Sequence, residues 1–237
     1  MRGLLAACLL AGCASGRAAI DPPDAGGGNT SPDAKVWRDG SIMIEPQPDA
    51  AVMQQSDAAV VQPSCHDQQL LLNPVLDLNP SGMGWTQLNI DNAAPIITGD
   101  DGIAEHSAPF KAWMGGLEAF DYGASSVTDV LYQDLTVPAN TTVLRVTGQY
   151  EVRTAEVEGI AYDSAQLALT QTNGTPLQVI TDLTNLTPTT AWTAIDQAAA
   201  QNLSGQTVRL RITTTNDVID PTSFYFDTLA VTATICQ

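Results

Sequence analysis

His106 and the groups around it are the first candidates for chemistry in this sequence. His106 lies between Glu105 and Ser107 and close to Asp100 and Asp101, so a histidine, carboxylates and a hydroxyl occur in one short segment. A hydrolytic triad needs a specific geometry that residues adjacent in sequence rarely reach. The motifs GxSxG and HExxH and the phosphate-binding loop motif do not occur in the sequence. We therefore expect a protein that is not an enzyme.

Aromatic side chains are the second candidates, because sugar rings stack on exposed aromatic rings while polar side chains bind the sugar hydroxyl groups. Trp113 precedes Met-Gly-Gly at 114–116, and Tyr122 lies in a loop at 118–123. These flanking segments predict an exposed platform, so Trp113 and Tyr122 are the expected ligand-binding residues. The other large aromatic residues of strand-like segments are expected in the core, namely Trp85, Trp192, Phe224 and Phe226.

The first sixteen residues predict export from the cytoplasm. Arg2 supplies a positive charge, and the apolar stretch through Leu10 is too short to span a bilayer, which is typical of a cleaved signal. The tetrapeptide Leu-Ala-Gly-Cys at 10–13 resembles the bacterial lipobox. The resemblance implies a signal peptide at 1–12 and a lipidated Cys13 that anchors the protein stably once it carries two or more acyl chains. Ala14, in place of an acidic residue, implies the outer membrane of a diderm bacterium, on its periplasmic or cell-surface face.

Two other interpretations of this segment stay open. Leu-Ala-Ala-Cys at 5–8 also fits the lipobox pattern, although almost no apolar stretch precedes it. A plain secretory signal would leave Cys13 as an unpaired thiol, which is a liability in an exported protein. We prefer Cys13 as the lipidated residue.

Residues 13–64 form a linker that is rich in Asp, Pro, Ala, Gly and Gln. No apolar repeat with the period of a strand or a helix persists along it, so it cannot bury enough apolar surface to offset the entropy of ordering. We expect a disordered spacer, semi-extended because of its prolines. The short apolar stretch at 41–44 could alternatively be a docking motif.

Residues 65–237 are long enough to form one domain with its own core. Cys65 and Cys236 bracket this region, and in an exported protein such a pair most simply forms one disulfide that ties the two ends together. His66 adjoins Cys65 and is expected in solvent. Neither a CxxC motif nor a Cys/His cluster occurs, so a zinc or redox site is not predicted.

Five segments of this domain alternate apolar and polar residues with the period of two that is typical of a half-buried strand. At 207–213, for example, Val208, Leu210 and Ile212 fall on one face, and the two arginines between them fall on the other. One short helix is expected at 195–202. The pattern predicts an all-β fold, an antiparallel β-sandwich or barrel. The five segments are 130–137, 142–154, 165–172, 206–214 and 223–235.

The order of several motifs resembles jelly-roll carbohydrate-binding modules and galactose-binding-like domains. Leu-Leu-Leu-Asn-Pro-Val-Leu-Asp at 70–77 is similar to their opening strand, with Val-Leu where they carry Gly-Phe. The runs at 131–138, 203–210 and 224–229 are similar to later strands, the last being the closing one. The resemblance extends over nearly all of 70–235 and implies a jelly-roll sandwich. This fold hosts sugar binders, protease appendages and structural modules, so it does not by itself name a function.

The same resemblance implies a structural calcium ion between the first and the last strand. Asp77 and Asp227 match the two positions from which these domains supply carboxylates, although Thr228 replaces the second acidic residue of the closing motif. Calcium takes about six to eight oxygen ligands, so carbonyl groups or water molecules would have to complete the set. The alternative is that Asp77 and Asp227 are ordinary turn or edge residues.

The charge of the domain excludes some partners. Nineteen Asp and Glu residues against five Lys and Arg residues give a surface that repels nucleic acid, because binding to nucleic acid depends on phosphate neutralisation. The same surface avoids anionic lipid, which leaves Cys13 as the only expected membrane contact. With so many carboxylates, a pair for glycoside hydrolysis can be drawn almost anywhere and carries no weight.

Two functions are compatible with these observations. In the first, a membrane-anchored, non-catalytic module binds a polysaccharide or a cell-surface glycan. In the second, the domain is a structural or adhesive part of the cell envelope that binds a protein partner and has no sugar site. The exposure of Trp113 and Tyr122 on one concave face would favour the first.

Overall fold

Residues 62–89, 94–99, 103–116 and 126–237 are described by the computed structural model. Within these ranges the chain forms two antiparallel sheets packed face to face, which confirms the all-β sandwich. The signal peptide expected at 1–12, Cys13 and all but the last residues of the linker lie outside the described residues. A helix long and apolar enough to cross a membrane is not found in the described ranges.

The two sheets divide the strands so that the chain passes repeatedly from one sheet to the other. The first sheet has the order β3 (Ile97–Thr98), β4 (Lys111–Gly115), β11 (Thr222–Cys236), β6 (Thr141–Thr154) and β9 (Thr193–Ala198), with β1 (Cys65–Gln69) also paired to β11. The second sheet has the order β2 (Thr86–Asn89), β5 (Val127–Thr136), β10 (Thr207–Asn216), β7 (Ser164–Thr170) and β8 (Pro176–Thr184).

Strand β10 shows how the alternating sequence produces this packing. Val208, Leu210 and Ile212 are fully buried between the sheets, whereas Arg209 and Arg211 lie on the outer face of the second sheet. Each buried side chain of this size contributes about 1.5–3 kcal/mol by leaving water. The alternation therefore sets which face of the strand turns inward and which face is available for binding.

Three of the four aromatic residues expected in the core are confirmed there. Phe224 and Phe226 are fully buried in β11, and Trp85 is also buried. The expectation for Trp192 is wrong, because this side chain is only half-buried. Its indole Nε1 donates a hydrogen bond to the carbonyl oxygen of Ala104 at 3.1 Å, so it packs on a surface loop instead of between the sheets.

The helix expected at 195–202 is also wrong, because β9 occupies Thr193–Ala198. Ile195 is buried while Ala194 and Asp196 on either side of it are exposed, which is the alternation of a strand. Strand β9 pairs with β6 at the edge of the first sheet, with Gly148 opposite Ile195. The hydrogen-bonding groups of an available sheet edge thus outweigh the helix preference of the alanines that follow.

The disulfide between Cys65 and Cys236 is confirmed, with 4.1 Å between the Cα atoms and a sequence separation of 171. The two cysteines are register partners in the β1–β11 ladder. Backbone hydrogen bonds between Ser64 and Gln237, at 3.1 and 3.0 Å, extend the ladder beyond the bridge. Closing a loop of this length removes about 5 kcal/mol of chain entropy from the unfolded state. His66 lies exposed in β1, as expected.

Candidate functional site

The outer face of the second sheet carries an open groove across β10, β7 and β8, with a volume of about 510 Å³. We call it the sheet groove. Polar side chains line most of it, among them Ser164, Gln166, Asp182, Arg211, Thr213 and Thr215. Each of them lies at an outward position of its strand, so the period-two pattern that fills the core also aligns this row of polar groups.

Two of these side chains hold each other in place. Gln166 and Asp182 are register partners on β7 and β8, and Nε2 of Gln166 donates to Oδ1 of Asp182 at 2.8 Å. The bond leaves the carbonyl oxygen of Gln166 and the second carboxylate oxygen of Asp182 as acceptors for a ligand. The sheet groove therefore presents acceptors in a fixed arrangement.

Arg211 is the cation of the sheet groove, and within the described residues its guanidinium has neither an ion pair nor a hydrogen bond. The four other Lys and Arg residues of the domain each have a carboxylate partner, at Glu105 for Lys111, Asp196 for Arg145, Glu151 for Arg153 and Asp134 for Arg209. The neighbour of Arg211 in register on β7 is Ala168, whose small side chain cannot bind it. The donors of Arg211 are consequently available to a ligand.

Arg209, on the same face, is held rigidly. Its Nε and Nη2 atoms donate to the two carboxylate oxygens of Asp134 at 2.6 and 3.0 Å, and these hydrogen bonds raise the pKa of the guanidinium above its ordinary value. The guanidinium carbon also lies 3.7 Å from the centre of the Tyr132 ring. Arg209 therefore covers one face of the Tyr132 ring. Tyr132 is also the register partner of Arg211, so the stacked pair lies next to Arg211.

Trp113 lies on the other sheet, so the structure does not place it in the sheet groove. Its side chain is half-buried, and its Nε1 donates to Oγ of Ser223 at 3.1 Å. The cavity that it lines with Pro95, Ile96 and Asp129 has a volume of about 30 Å³, enough for about one water molecule and too small for a sugar ring. Tyr122 lies outside the described residues, so ligand binding by the pair Trp113 and Tyr122 stays a prediction.

Asp77 and Asp227 are brought together by the segment that contains Ser107. Oγ of Ser107 donates to Oδ2 of Asp77 at 2.7 Å, and the backbone N–H of Ser107 donates to Oδ2 of Asp227 at 2.8 Å. The other oxygens accept from the N–H groups of Phe110, at 3.2 Å, and Thr228, at 2.6 Å. All four carboxylate oxygens thus have protein donors, and a calcium ion at this pair stays a prediction.

The buried position of Asp227 changes its titration. Burial raises its pKa to about 6, and the nearby charge of Asp77 acts in the same direction, while the N–H groups of Ser107 and Thr228 act against the rise. The charged carboxylate is therefore less favourable here than in water, even though it accepts two backbone hydrogen bonds.

His106 and Ser107 do not form a nucleophile–base pair in this arrangement. Nδ1 of His106 lies 2.6 Å from Oγ1 of Thr228, and the Ser107 hydroxyl is bonded to Asp77 as described above. The His106 ring also meets the Trp192 ring edge-on, with 6.0 Å between the ring centres. These contacts fasten the segment at 103–110 to the sandwich.

A third group of carboxylates, Glu156, Asp163 and Asp217, lies at one end of the sandwich. One oxygen from each residue lies within 4.8 Å of the others, which is close enough for the three to hold a metal ion. Asp163 is fully buried. We call this group the acidic triad.

Sequence reasoning missed the sheet groove and the acidic triad. The signal for the sheet groove was present, since Arg209 and Arg211 were placed on an outer face, but the strands beside β10 cannot be identified from alternation. The position of the triad was hidden from sequence reasoning for the same reason, since its proximity depends on strand pairing. Asp163 immediately precedes β7, and Asp217 immediately follows β10. Only the antiparallel pairing of β7 with β10 brings these two ends together.

Comparison with known proteins finds similar folds and no family. No family model matches the chain, and no curated protein matches it. Solved structures that match include TmCBM61 in complex with β-1,4-galactotriose, at 13% identity and a TM-score of 0.45 over 69% of this chain and 98% of that one. The K3 cleaved adhesin domain of Lys-gingipain from Porphyromonas gingivalis matches at 10% identity and 0.44, over 71% and 99%. The CBM22-1 xylan-binding domain from Paenibacillus barcinonensis Xyn10C matches at 16% and 0.37, over 69% and 94%.

These similarities concern the β-sandwich. Identities and TM-scores at this level assign neither a ligand nor a site to the chain, since one fold hosts many functions. The function has to be argued from the side chains themselves.

Proposed function

We propose that residues 65–237 form a non-catalytic glycan-binding domain whose binding site is the sheet groove. The observation that carries the proposal is Arg211, whose guanidinium has no ion pair or hydrogen bond among the described residues and which lies in a groove of polar side chains on a rigid sheet. Lipid on Cys13 would hold this domain at the outer membrane of a diderm bacterium, and the linker would space it from the lipid surface. The anchor and the location rest on the sequence alone.

The chemistry of the sheet groove suits the hydroxyl groups of a sugar. A hydroxyl both donates and accepts, and the groove supplies the acceptors of Gln166 and Asp182 together with the donors of Arg211. Serine and threonine hydroxyl groups along β7 and β10 do both. The domain carries many more acidic than basic residues, so a neutral glycan is favoured over an anionic one.

The scarcity of free aromatic surface sets the expected strength of binding. Arg209 covers one face of Tyr132, so stacking contributes less here than in a site with open rings. Binding then depends mainly on hydrogen bonds, which contribute about 0.5–1.5 kcal/mol each after the competing water is replaced. We expect weak binding to a single sugar and stronger binding to a chain that fills the sheet groove.

Affinity electrophoresis of the full chain through gels that contain different neutral polysaccharides tests this proposal. Retardation by one polysaccharide, lost in Arg211→Ala and kept in Arg145→Ala, would support it. Arg145 is the matched control because it lies on the other sheet, where it is paired with Asp196. Retardation that is lost in Trp113→Ala and kept in Arg211→Ala would instead locate the site at the pair predicted from sequence.

The second candidate, a domain that binds a protein partner, is favoured by a different observation. Apolar side chains are exposed in two loops, with Val157 90%, Ile160 53% and Ile219 55% accessible. Unchanged mobility in every gel would contradict glycan binding and direct attention to these loops. Cross-linking to envelope proteins that is lost in Val157→Ser and kept in Arg211→Ala would then establish the second function.

The structural calcium predicted at Asp77 and Asp227 also stays part of the proposal. Its support is the closeness of the two carboxylates on either side of Ser107. Calcium that stabilises the wild type and Asp163→Asn equally, and Asp227→Ala less, would identify this pair as a site.

A further inference from the structure

We propose that the acidic triad of Glu156, Asp163 and Asp217 is a calcium site that joins two loops at one end of the sandwich. This site is separate from the sheet groove and from the pair Asp77 and Asp227, so it does not depend on glycan binding.

The strand pairing brings the triad together. Thr215 of β10 is the register partner of Ser164 of β7, so the residues just beyond these two strand ends, Asp217 and Asp163, are neighbours. The N–H of Asp217 donates to Oδ1 of Asp163 at 2.9 Å. Glu156 reaches the same point from the connection between β6 and β7, and its own N–H is held by Oγ1 of Thr154 at 3.0 Å.

Asp163 carries the strongest indication of a missing ligand. The residue is fully buried, and its Oδ2 has no hydrogen-bond partner among the described residues. Leaving a buried polar atom without a partner is unfavourable, and for a charged oxygen the cost is larger still. A cation between the three carboxylates would satisfy this oxygen directly.

The surroundings of the triad concentrate negative charge. Burial raises the pKa of Glu156, and the charges of Asp163, Asp217, Asp220 and Glu158 raise it further. Burial likewise raises the pKa of Asp163 and the charge of Asp217 adds to the rise, while hydrogen-bond donors of Thr222 and the backbone N–H of Asp217 act against it. The ion pairs of Lys and Arg in the described residues all involve other carboxylates, so none of these cations offsets the negative charge of the triad.

The ligand type favours calcium. Carboxylate oxygens are hard ligands, which suit calcium or magnesium and not zinc or copper. Oxygens within 4.8 Å of one another are close enough to bind one ion. A site of three protein carboxylates suits calcium better, because magnesium requires near-ideal octahedral geometry and usually keeps several water molecules.

Asn185 prepares the site by holding the chain that leads into Asp163. Its Oδ1 accepts from the N–H groups of Tyr162 and Asp163, at 3.0 and 3.2 Å, and its Nδ2 donates to the carbonyl oxygen of Ile160 at 2.7 Å. The buried carboxylate is thus fixed before an ion binds, which lowers the entropy cost of binding.

Isothermal titration of the full chain with calcium chloride, and separately with magnesium chloride, tests the proposal. We expect saturable calcium binding that is at least tenfold weaker in Asp163→Asn and in Asp217→Asn, with magnesium weaker in every case. Glu158→Gln is the matched control, since it removes a nearby charge that is not in the triad, and it should change affinity less than threefold. Glu156→Gln provides a further variant should the buried substitution prevent folding, which circular dichroism would reveal.

Three results would overturn the proposal. The first is a folded wild type that binds no calcium, and the second is calcium binding that survives unchanged in Glu156→Gln and Asp163→Asn. Binding lost in Asp227→Ala and kept in Asp163→Asn would assign the ion to the other pair and also overturn it. None of these results bears on retardation by polysaccharides, so the glycan proposal is tested independently.

Discussion

The two groups of carboxylates, each with one fully buried member, differ in how the protein surrounds the buried oxygens. At Asp77 and Asp227 every carboxylate oxygen accepts a hydrogen bond from the segment at 103–110 or from Thr228. In the acidic triad, Oδ2 of Asp163 has no donor among the described residues. The first group uses protein donors to attach a loop, and the second has no Lys or Arg partner among the described residues. A buried carboxylate oxygen that has no donor is therefore a stronger indication of an ion than closeness of carboxylates alone.

The largest effect expected from this comparison is a dependence of stability on pH. Asp227 has a pKa of about 6 in the folded protein, above its ordinary unfolded value, so the folded state holds the extra proton. Stability in chelator should fall as pH rises from about 4 to 6, by up to about 3 kcal/mol from Asp227. Asp163 and Glu156, whose pKa values are also raised, act in the same direction.

Urea unfolding in chelator at several pH values between 4 and 7 measures this effect. Asp227→Ala should show a smaller fall than the wild type. A wild-type stability that rises across this range would contradict the assignment. Calcium should reverse part of the fall above pH 6, because deprotonated carboxylates bind it more tightly.

The next effect is the change in stability caused by substituting Asp227, the buried member of the first group. Asp227→Ala leaves the N–H groups of Ser107 and Thr228 without their acceptor, and we expect a loss of about 2 kcal/mol in the free energy of unfolding. Urea unfolding in chelator at about pH 4 measures this loss, because Asp227 is mostly protonated there and the variant relieves no buried charge. An unchanged stability under these conditions would contradict the role given to the two hydrogen bonds.

The corresponding substitution in the triad, Asp163→Asn, should raise the free energy of unfolding in chelator instead of lowering it. Asp163→Asn keeps a side-chain oxygen that accepts from the N–H of Asp217. It replaces the other oxygen with an amide NH2 group, which can donate to the carboxylates of Glu156 and Asp217. We expect the variant to be more stable than the wild type by about 1 kcal/mol in chelator and to gain less stability from calcium than the wild type does. Thermal unfolding under both conditions measures the difference, and a variant that is less stable in chelator would show that the orphaned oxygen has a protein partner.

The smallest effect concerns the hydroxyl of Ser107, which donates a hydrogen bond to Asp77. Ser107→Ala removes one hydrogen bond to Asp77 and keeps the backbone donor to Asp227. A loss of about 1 kcal/mol is expected at pH 7. Urea unfolding should show it with and without calcium, and an unchanged stability would mean that this bond contributes little to holding the segment at 103–110.

The sequence predicted the fold better than it predicted the site. The alternation at 207–213 showed which side chains of β10 are buried, and the position of the two cysteines correctly predicted the bridge. Both depend on local pattern or on chain ends. Ile195 was misassigned because a six-residue edge strand has too few residues to distinguish its period from that of a helix.

The sites depend on pairing between distant segments, which local pattern does not contain. Asp163 and Asp217 are neighbours only because β7 pairs with β10, and Tyr132 lies beside Arg211 only because β5 pairs on the other side. Asp77 and Asp227 could be associated because the resemblance to known domains supplied the pairing. The donors that surround them, above all Ser107, had no signature in the sequence.

The bridge between β1 and β11 gives the proposed tether a mechanical consequence. Under that proposal, a pull through residue 64 reaches Cys65 and passes across the covalent bond to Cys236. Beyond the terminal hydrogen bonds of Ser64 and Gln237, this bond closes the β1–β11 ladder, so the ladder cannot be peeled open from this end. The load would pass to β11, a long strand paired with β6 along most of its length and with β4 at its far end. A pull along the strand would then be shared among many hydrogen bonds.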